Sequence, residues 1–352
     1  MPKSYVSLLE QGVNQGDFPG ASTALVVRGQ KAIVNYVGHR EIKPKTRPLE
    51  PDTLYDVASL TKVIATTTLV MRCIESKVLA LDTLVKAVLP WFRHGDVRIE
   101  HLLTHTSGLP ADLSDAKSLS TRDAVLKRVQ ESDLVSAVSS QVIYSDIGFI
   151  LLGWILETVT GNPLDQLAYH HVFAPLSMND TSYHPDPKRT APTEYREDAV
   201  FKGLLHGKVH DEKAFAMGGI AGHAGLFSTV ADIARFMQAM MSAQFVLSPQ
   251  TVASLFAPCT VADGPMRRPV SRALGWDRAT PGGTAGDGVT YDATLVHTGF
   301  TGCNLWIDWS HGVGFVLLSN AVHPHRSMNK IHAYRNPIGT SVMAEIRRLY
   351  HV

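Results

Sequence analysis

Cysteine is scarce in this chain: there are three in 352 residues, Cys73, Cys259 and Cys303. They are too few and too scattered to frame a disulfide scaffold or a zinc motif, and none stands in a catalytic pattern. Cys73, inside an apolar run, reads as buried. No uninterrupted apolar stretch reaches about 18 residues, so no transmembrane helix is expected. Charge of one sign is missing too. With 33 basic against 32 acidic residues, a formal net charge of +1 and no basic run, nothing favours nucleic acid or an anionic membrane as partner. Internal repeats and low-complexity tracts are absent, which sets aside solenoids and disordered tails.

What the chain does have is apolar bulk. Hydrophobic residues make up 45%, enough for a substantial core in one large domain or two. The first ten residues are amphipathic rather than a basic stretch followed by an apolar core and a cleavage site. The expectation is a cytoplasmic location as written, or a periplasmic one if a leader has been removed. Residues 4–15 carry apolar positions at Val6, Leu8, Leu9 and Val13, consistent with a surface helix. Runs 22–28 and 31–37 flank Gly29-Gln30 and read as a hairpin. Further strands are expected near Leu295, over 303–309 and over 313–319, with a closing helix over 340–350.

β-rich ends around a helical middle predict an α/β (α+β) fold. The two termini pair into one antiparallel sheet flanked by terminal helices, with a helical domain inserted. The expected boundaries are 1–58 plus 265–352 for the sheet domain and 59–264 for the helical one. A ligand cleft belongs at the seam between them.

Ser59-Leu60-Thr61-Lys62 opens the first helix of that middle. Residues three apart share a helix face, so the Lys62 amine can reach the Ser59 hydroxyl and take its proton during attack on a carbonyl. That role needs a neutral amine, and the nearly uncharged segment 63–71 predicts burial that lowers the lysine pKa. The plainer alternative makes Ser59 a helix N-cap and Lys62 a solvated charge. Two other segments bear on the choice. Tyr144-Ser145-Asp146 places a phenol before an apolar helix, although a lone tyrosine is more often a half-buried aromatic. His297-Thr298-Gly299 lies between β-rich runs 290–296 and 303–307, where Gly299 permits close backbone approach.

In this order and at this spread, the three segments resemble the Ser-x-x-Lys, Tyr-x-Asn and Lys-Thr-Gly elements of the penicillin-recognising serine hydrolases. That family includes DD-peptidases, serine β-lactamases (class C most closely) and related esterases, and its fold is β-lactamase/transpeptidase-like. Segments 100–110 and 218–228 resemble family loops that border the site. The resemblance implies Ser59 as acylated nucleophile, Lys62 as its base partner and Tyr144 as the proton relay to the leaving atom. It also implies an oxyanion hole from the backbone N–H groups of Ser59 and Phe300. Asp146, His297, Thr298 and Gly299 become substrate-binding candidates.

Two departures matter. Asp146 replaces the family Asn, which removes two amide donors; if Lys62 is protonated at rest, Asp146 can hold it by a charge-assisted hydrogen bond. His297 replaces Lys where the family helps hold a substrate carboxylate, and its charge would switch within the physiological pH range.

The stretch 177–225 is long, rich in Pro, Gly, His and charge, and weakly periodic, so it reads as a functional loop. Family members border the cleft with it, which makes Tyr195, Arg196 and His210 candidate substrate contacts. His206, His210, Asp211 and His223 would suit a metal if helical. Gly207 and the missing periodicity argue against that, and neither metal nor cofactor is expected.

Three functions follow. The first is a DD-carboxypeptidase- or β-lactamase-like acyl hydrolase acting on D-Ala-terminated peptides or β-lactams. The second is a carboxylesterase using the same residues, favoured if His297 no longer recognises a carboxylate. The third is a penicillin-binding sensor domain that is acylated but barely turns over.

Overall fold

The computed structural model describes residues 4–257 and 272–350, and Cys259 and the expected boundary at 264/265 lie outside them. The described residues hold eleven strands. They are β1 (Gly20–Val27), β2 (Ile33–Glu41), β3 (Arg47–Pro48), β4 (Tyr55–Asp56), β5 (Tyr195–Glu197), β6 (Lys202–Leu204), β7 (Phe227–Ser228), β8 (Asp277–Arg278), β9 (Thr294–Thr298), β10 (Asn304–Asp308) and β11 (Val313–Leu318). Seven of them form one sheet in the order β3-β2-β1-β11-β10-β9-β8, every pairing antiparallel. The two ends of the chain meet at its centre, with Ser22 opposite Leu318 and Val27 opposite Val313. This is the expected α/β (α+β) architecture, one antiparallel sheet built from both ends of the chain.

β1 is buried from Gly20 to Val26, Ser22 and Thr23 included, because the sheet is covered on both faces. Ala24 and Val26 enter one core together with Val316, Phe236 and Met237 of the helix Val230–Met240. Ala21 and Leu25 point the other way, to a second core with Tyr5, Leu9, Ile338 and Val342 of the terminal helices Tyr5–Asn14 and His332–Tyr350. The closing helix starts at His332, ahead of the expected position 340, and includes Pro337. The β1–β2 connection turns through Gly29 at φ 76°. Residues 291–293 of the expected strand 290–296 form a 3₁₀ turn instead, and β9 begins at Thr294.

Helix Asp146–Thr160 is the axis of the helical part. Ile147 through Leu156 are all buried, and the Ser145 side chain caps it by accepting from Gly148 N–H. Lys62–Thr67 forms a buried π-helical stretch leading into helix Thr68–Glu75. No single helix among the described residues is long and apolar enough to cross a membrane.

The stretch 177–225 is not structureless. It contains the β5–β6 hairpin and helix Glu212–Ala216, which Asp211 caps by accepting from Ala214 N–H. Three-residue strands and a five-residue helix are too short to leave a periodicity in sequence. Cys303 is buried, while Cys73 is only partly so.

Candidate active site

Strand β9 and the turn before the π-helix close on one another. A Cβ added to Gly299 would stand 2.6 Å from the Val57 carbonyl oxygen, so the close approach foreseen at this glycine is to the chain entering Ser59. Thr301 Oγ1 ties the same two segments by donating to the Asp56 carbonyl at 2.7 Å. This junction puts Ser59, Thr298 and the exposed Phe300 on one cleft of about 430 Å³, which is also lined by Tyr144, Asp146, His210 and His297. Among the described residues, neither the Ser59 nor the Phe300 backbone N–H donates a hydrogen bond.

Beneath Ser59 lies Lys62, fully buried. Its Nζ donates to Ser59 Oγ at 3.0 Å and to the His223 carbonyl at 2.9 Å. Asp146 Oδ1 stands 2.8 Å away, and the amine lies 5.0 Å from the centroid of the Tyr144 ring. Burial alone would lower the Lys62 pKa, but the Asp146 charge and Tyr144 outweigh it and raise it. The expectation of a resting neutral amine is therefore corrected. In a dry site an adjacent carboxylate wins over desolvation, and Lys62 is an ammonium. Ser59 does not cap a helix; its oxygen accepts from Lys62.

Tyr144 is sandwiched by charge and aromatics. Its ring lies 4.5 Å from that of His105 and 6.1 Å from that of His297. Lys62 Nζ and Arg272 Cζ are 5.0 and 5.4 Å from its centroid. His105 Nδ1 accepts from Ser145 N–H at 3.0 Å, and burial, with Arg272 and Lys62 nearby, holds its pKa well below the ordinary range.

His297 differs from expectation. Burial, with Lys62 and Arg272 adding repulsion, pushes its imidazole down to about 3. It is neutral throughout the physiological range, so the proposed charge switch is absent. Nδ1 lies 3.0 Å from the Thr298 carbonyl and therefore donates to it. That leaves Nε2 an acceptor, buried and without a partner among the described residues. Such a nitrogen repels a carboxylate rather than holding it.

Of the three loop candidates, only His210 reaches the cleft. It stacks on Phe300 with ring centroids 5.5 Å apart, and it bonds Glu194 at 2.9 Å. Tyr195 is exposed beside Pro324, and Arg196 is sequestered by Asp198 at 2.8 Å between the rings of Phe201 and Phe215. As neighbours on β5 the two point to opposite faces of the strand, Tyr195 to solvent and Arg196 into the packing of the loop, and neither lines the cleft. His206 is separate, bonded to the Thr190 carbonyl. Asp211 and His223 do meet, at 2.7 Å, with Asp146 close by. Two ammonium groups fill the space a cation would need: Lys62 on Asp146, and Lys213 at 3.2 Å from Asp146 and 3.1 Å from Asp211.

Sequence reasoning passed over Lys213, Asp112, His105, Arg272 and Arg326. His105 and Lys213 lie within or beside quoted segments, but their contacts come from folding. Arg326, on the cleft wall, is spent on Glu194 and Glu212 at 2.7 and 2.9 Å.

A family model described as Beta-lactamase matches residues 6–339. The chain is 32% identical to a putative D-alanyl-D-alanine carboxypeptidase of Escherichia coli O157:H7, an alignment covering 82% of this chain and 75% of that protein. It is also 32% identical to an N-acetylmuramyl-L-alanine amidase of Bacillus subtilis (strain 168), over 95% of this chain and 85% of that protein. Among solved structures, EstCE1, a hydrolase with promiscuous acyltransferase activity, superposes with a TM-score of 0.80 at 22% identity, covering 96% of this chain and 97% of that one. At that identity the likeness speaks for the fold alone.

Proposed function

The chain belongs to the Beta-lactamase family, a serine hydrolase family whose model covers nearly all of it, and from that membership we propose that it cleaves an amide through an acyl intermediate on Ser59. The reading rests on the 3.0 Å contact between Lys62 Nζ and Ser59 Oγ at the cleft floor. Ser59 Oγ attacks the carbonyl carbon. Its proton goes to Lys62 Nζ as Lys62, an ammonium at rest, gives one of its own to the Tyr144 oxygen and Tyr144 gives its phenolic proton to the leaving nitrogen, so that Lys62 and Tyr144 end as they began. The carbonyl oxygen, as it gains charge, is received by the free N–H groups of Ser59 and Phe300. Water then enters where the leaving group departed, and the relay runs in reverse to release the acid. Muramoyl-peptide or D-Ala-terminated substrates fit the names of the two curated relatives.

A second reading, a carboxylesterase on the same residues, is favoured by His297. A neutral acceptor at that position removes a cationic anchor for a substrate carboxylate, and Arg326 is already engaged by two glutamates. Intact-mass spectra of wild type and Ser59→Ala, taken over time with a penicillin-type β-lactam and with a p-nitrophenyl ester, test both. A Ser59-dependent β-lactam adduct supports the amidase reading. Ester turnover with the β-lactam intact supports the esterase, and adducts that persist without turnover support the sensor function. Full activity in Ser59→Ala would sink all three.

A further inference from the structure

We propose that Lys213 is a positioning residue for this reaction, the member of a closed polar ring that sets how readily the Ser59–Lys62 pair gives up a proton. The inference rests on the reading of Ser59 as nucleophile.

The ring runs from Lys62 Nζ to Asp146 Oδ1 at 2.8 Å and from Asp146 Oδ2 to Lys213 Nζ at 3.2 Å. It continues from Lys213 to Asp211 Oδ2 at 3.1 Å and from Asp211 Oδ1 to His223 Nε2 at 2.7 Å. It closes because the His223 carbonyl accepts from Lys62 at 2.9 Å. All five of its side chains are at least four-fifths buried, with Lys62, Lys213 and His223 almost completely so. Asp112, half-exposed on the cleft wall, is the outlet, 2.7 Å from Lys213. Lys213 is thus the cation common to three carboxylates, and it faces the side of Asp146 opposite Lys62. Among the described residues, the other charged or titratable groups facing this assembly include Tyr144, His105, His297 and Arg272 on the Lys62 side and Asp56 on the Asp211 side. The ion pairs of Lys213 among the described residues are with Asp112, Asp146 and Asp211.

Without Lys213, Asp146 would place its full charge on Lys62 and one source of repulsion on that ammonium would be lost. Every proton in the ring would bind more tightly. A unit charge a few ångströms away, at an effective dielectric of about 20, is worth about one pH unit or more. Removing the Asp112 charge acts in the opposite direction.

The probe is a fluorophosphonate, which reports the nucleophile whatever the acyl specificity. Ser59 Oγ forms the bond to phosphorus, the P–F bond breaks to release fluoride, and the Oγ proton leaves by the relay. Labelling rates against pH would be measured on the whole protein by intact mass for wild type, Lys213→Met, Lys213→Arg and Asp112→Asn. The midpoint of the rise with pH should move up by about one unit in Lys213→Met, return in Lys213→Arg and move down in Asp112→Asn. A uniform loss of rate with an unmoved midpoint would overturn the proposal. If Lys213→Met fails to fold, an unmoved Asp112→Asn midpoint overturns it equally. Wild type that labels no Ser59 removes the nucleophile reading itself, a result distinct from an active enzyme with an unmoved midpoint.

Discussion

At the scale of single residues, the outcome was decided by which of two opposing electrostatic effects won. Lys62 and His297 are both buried beside the same cleft, yet one is held charged and the other neutral. Lys62 has Asp146 at 2.8 Å; His297 has a carbonyl on one nitrogen and cations nearby. The spacing of Ser59 and Lys62 could be read from sequence because three residues of helix fix it. The protonation states could not, since Asp146 and Arg272 arrive from distant parts of the chain. Because Lys62 and Tyr144 act as one relay, Lys62→Ala and Tyr144→Phe should each lower kcat/KM by roughly 10²–10⁴, with the double variant close to the worse single one. A double variant showing the product of the two losses would mean independent roles. Steady-state kinetics on whichever substrate turns over decides this.

Among the elements, contact between the helix Asp146–Thr160 and the loop at 218–225 controls the site. Their backbones touch: a Cβ on Gly222 would lie 2.1 Å from the Phe149 carbonyl oxygen and 3.0 Å from Gly153 N. The Gly222 carbonyl accepts from Thr66 Oγ1 at 2.7 Å, and the next residue offers its carbonyl to Lys62. Gly222→Ala should therefore cost about 1–3 kcal/mol or more in urea unfolding, and it should lower activity by displacing His223. Gly148→Ala, whose added methyl would meet nothing nearer than 3.7 Å, is the tolerated control. Equal stability of the two variants would show that the helix–loop seam yields. The helix itself was legible from its apolar run, whereas its Ser145 cap emerged only from the structure. The glycine-rich loop that seats on it was recognised only by resemblance, because close backbone contact leaves no periodicity.

For the whole molecule, buried titrating groups set the response to acid. Burial alone would raise the Glu194 carboxyl, but hydrogen bonds from His210 and Arg326 bring it down to about 2 from an ordinary 4.5. A carboxyl depressed on folding stabilises above its unfolded pKa, and that contribution fades as pH falls from about 4.5 towards 2. Burial likewise lowers His297 to about 3 and His323 to about 4, from an ordinary 6.5. The unfolded chain takes up these protons first, so stability declines from pH 6.5 downward. Thermal midpoints against pH should show Glu194→Gln less stable near neutrality by on the order of 2–3 kcal/mol, with the gap closing below pH 4.5. A gap that stays constant with pH would mean that the carboxylate charge is not what stabilises. The sequence by itself determined the family, the two-faced sheet built from both ends of the chain and the helix-spaced pair Ser59 and Lys62. These depend on local periodicity and on motifs a few residues long. Tertiary structure alone decided that Lys62 rests as an ammonium, that His297 is a neutral acceptor, that Tyr195 and Arg196 face away from the cleft and that Lys213 lies behind the nucleophile. Charge states and side-chain partners depend on distances between segments a hundred residues apart, and only the packed fold sets those distances.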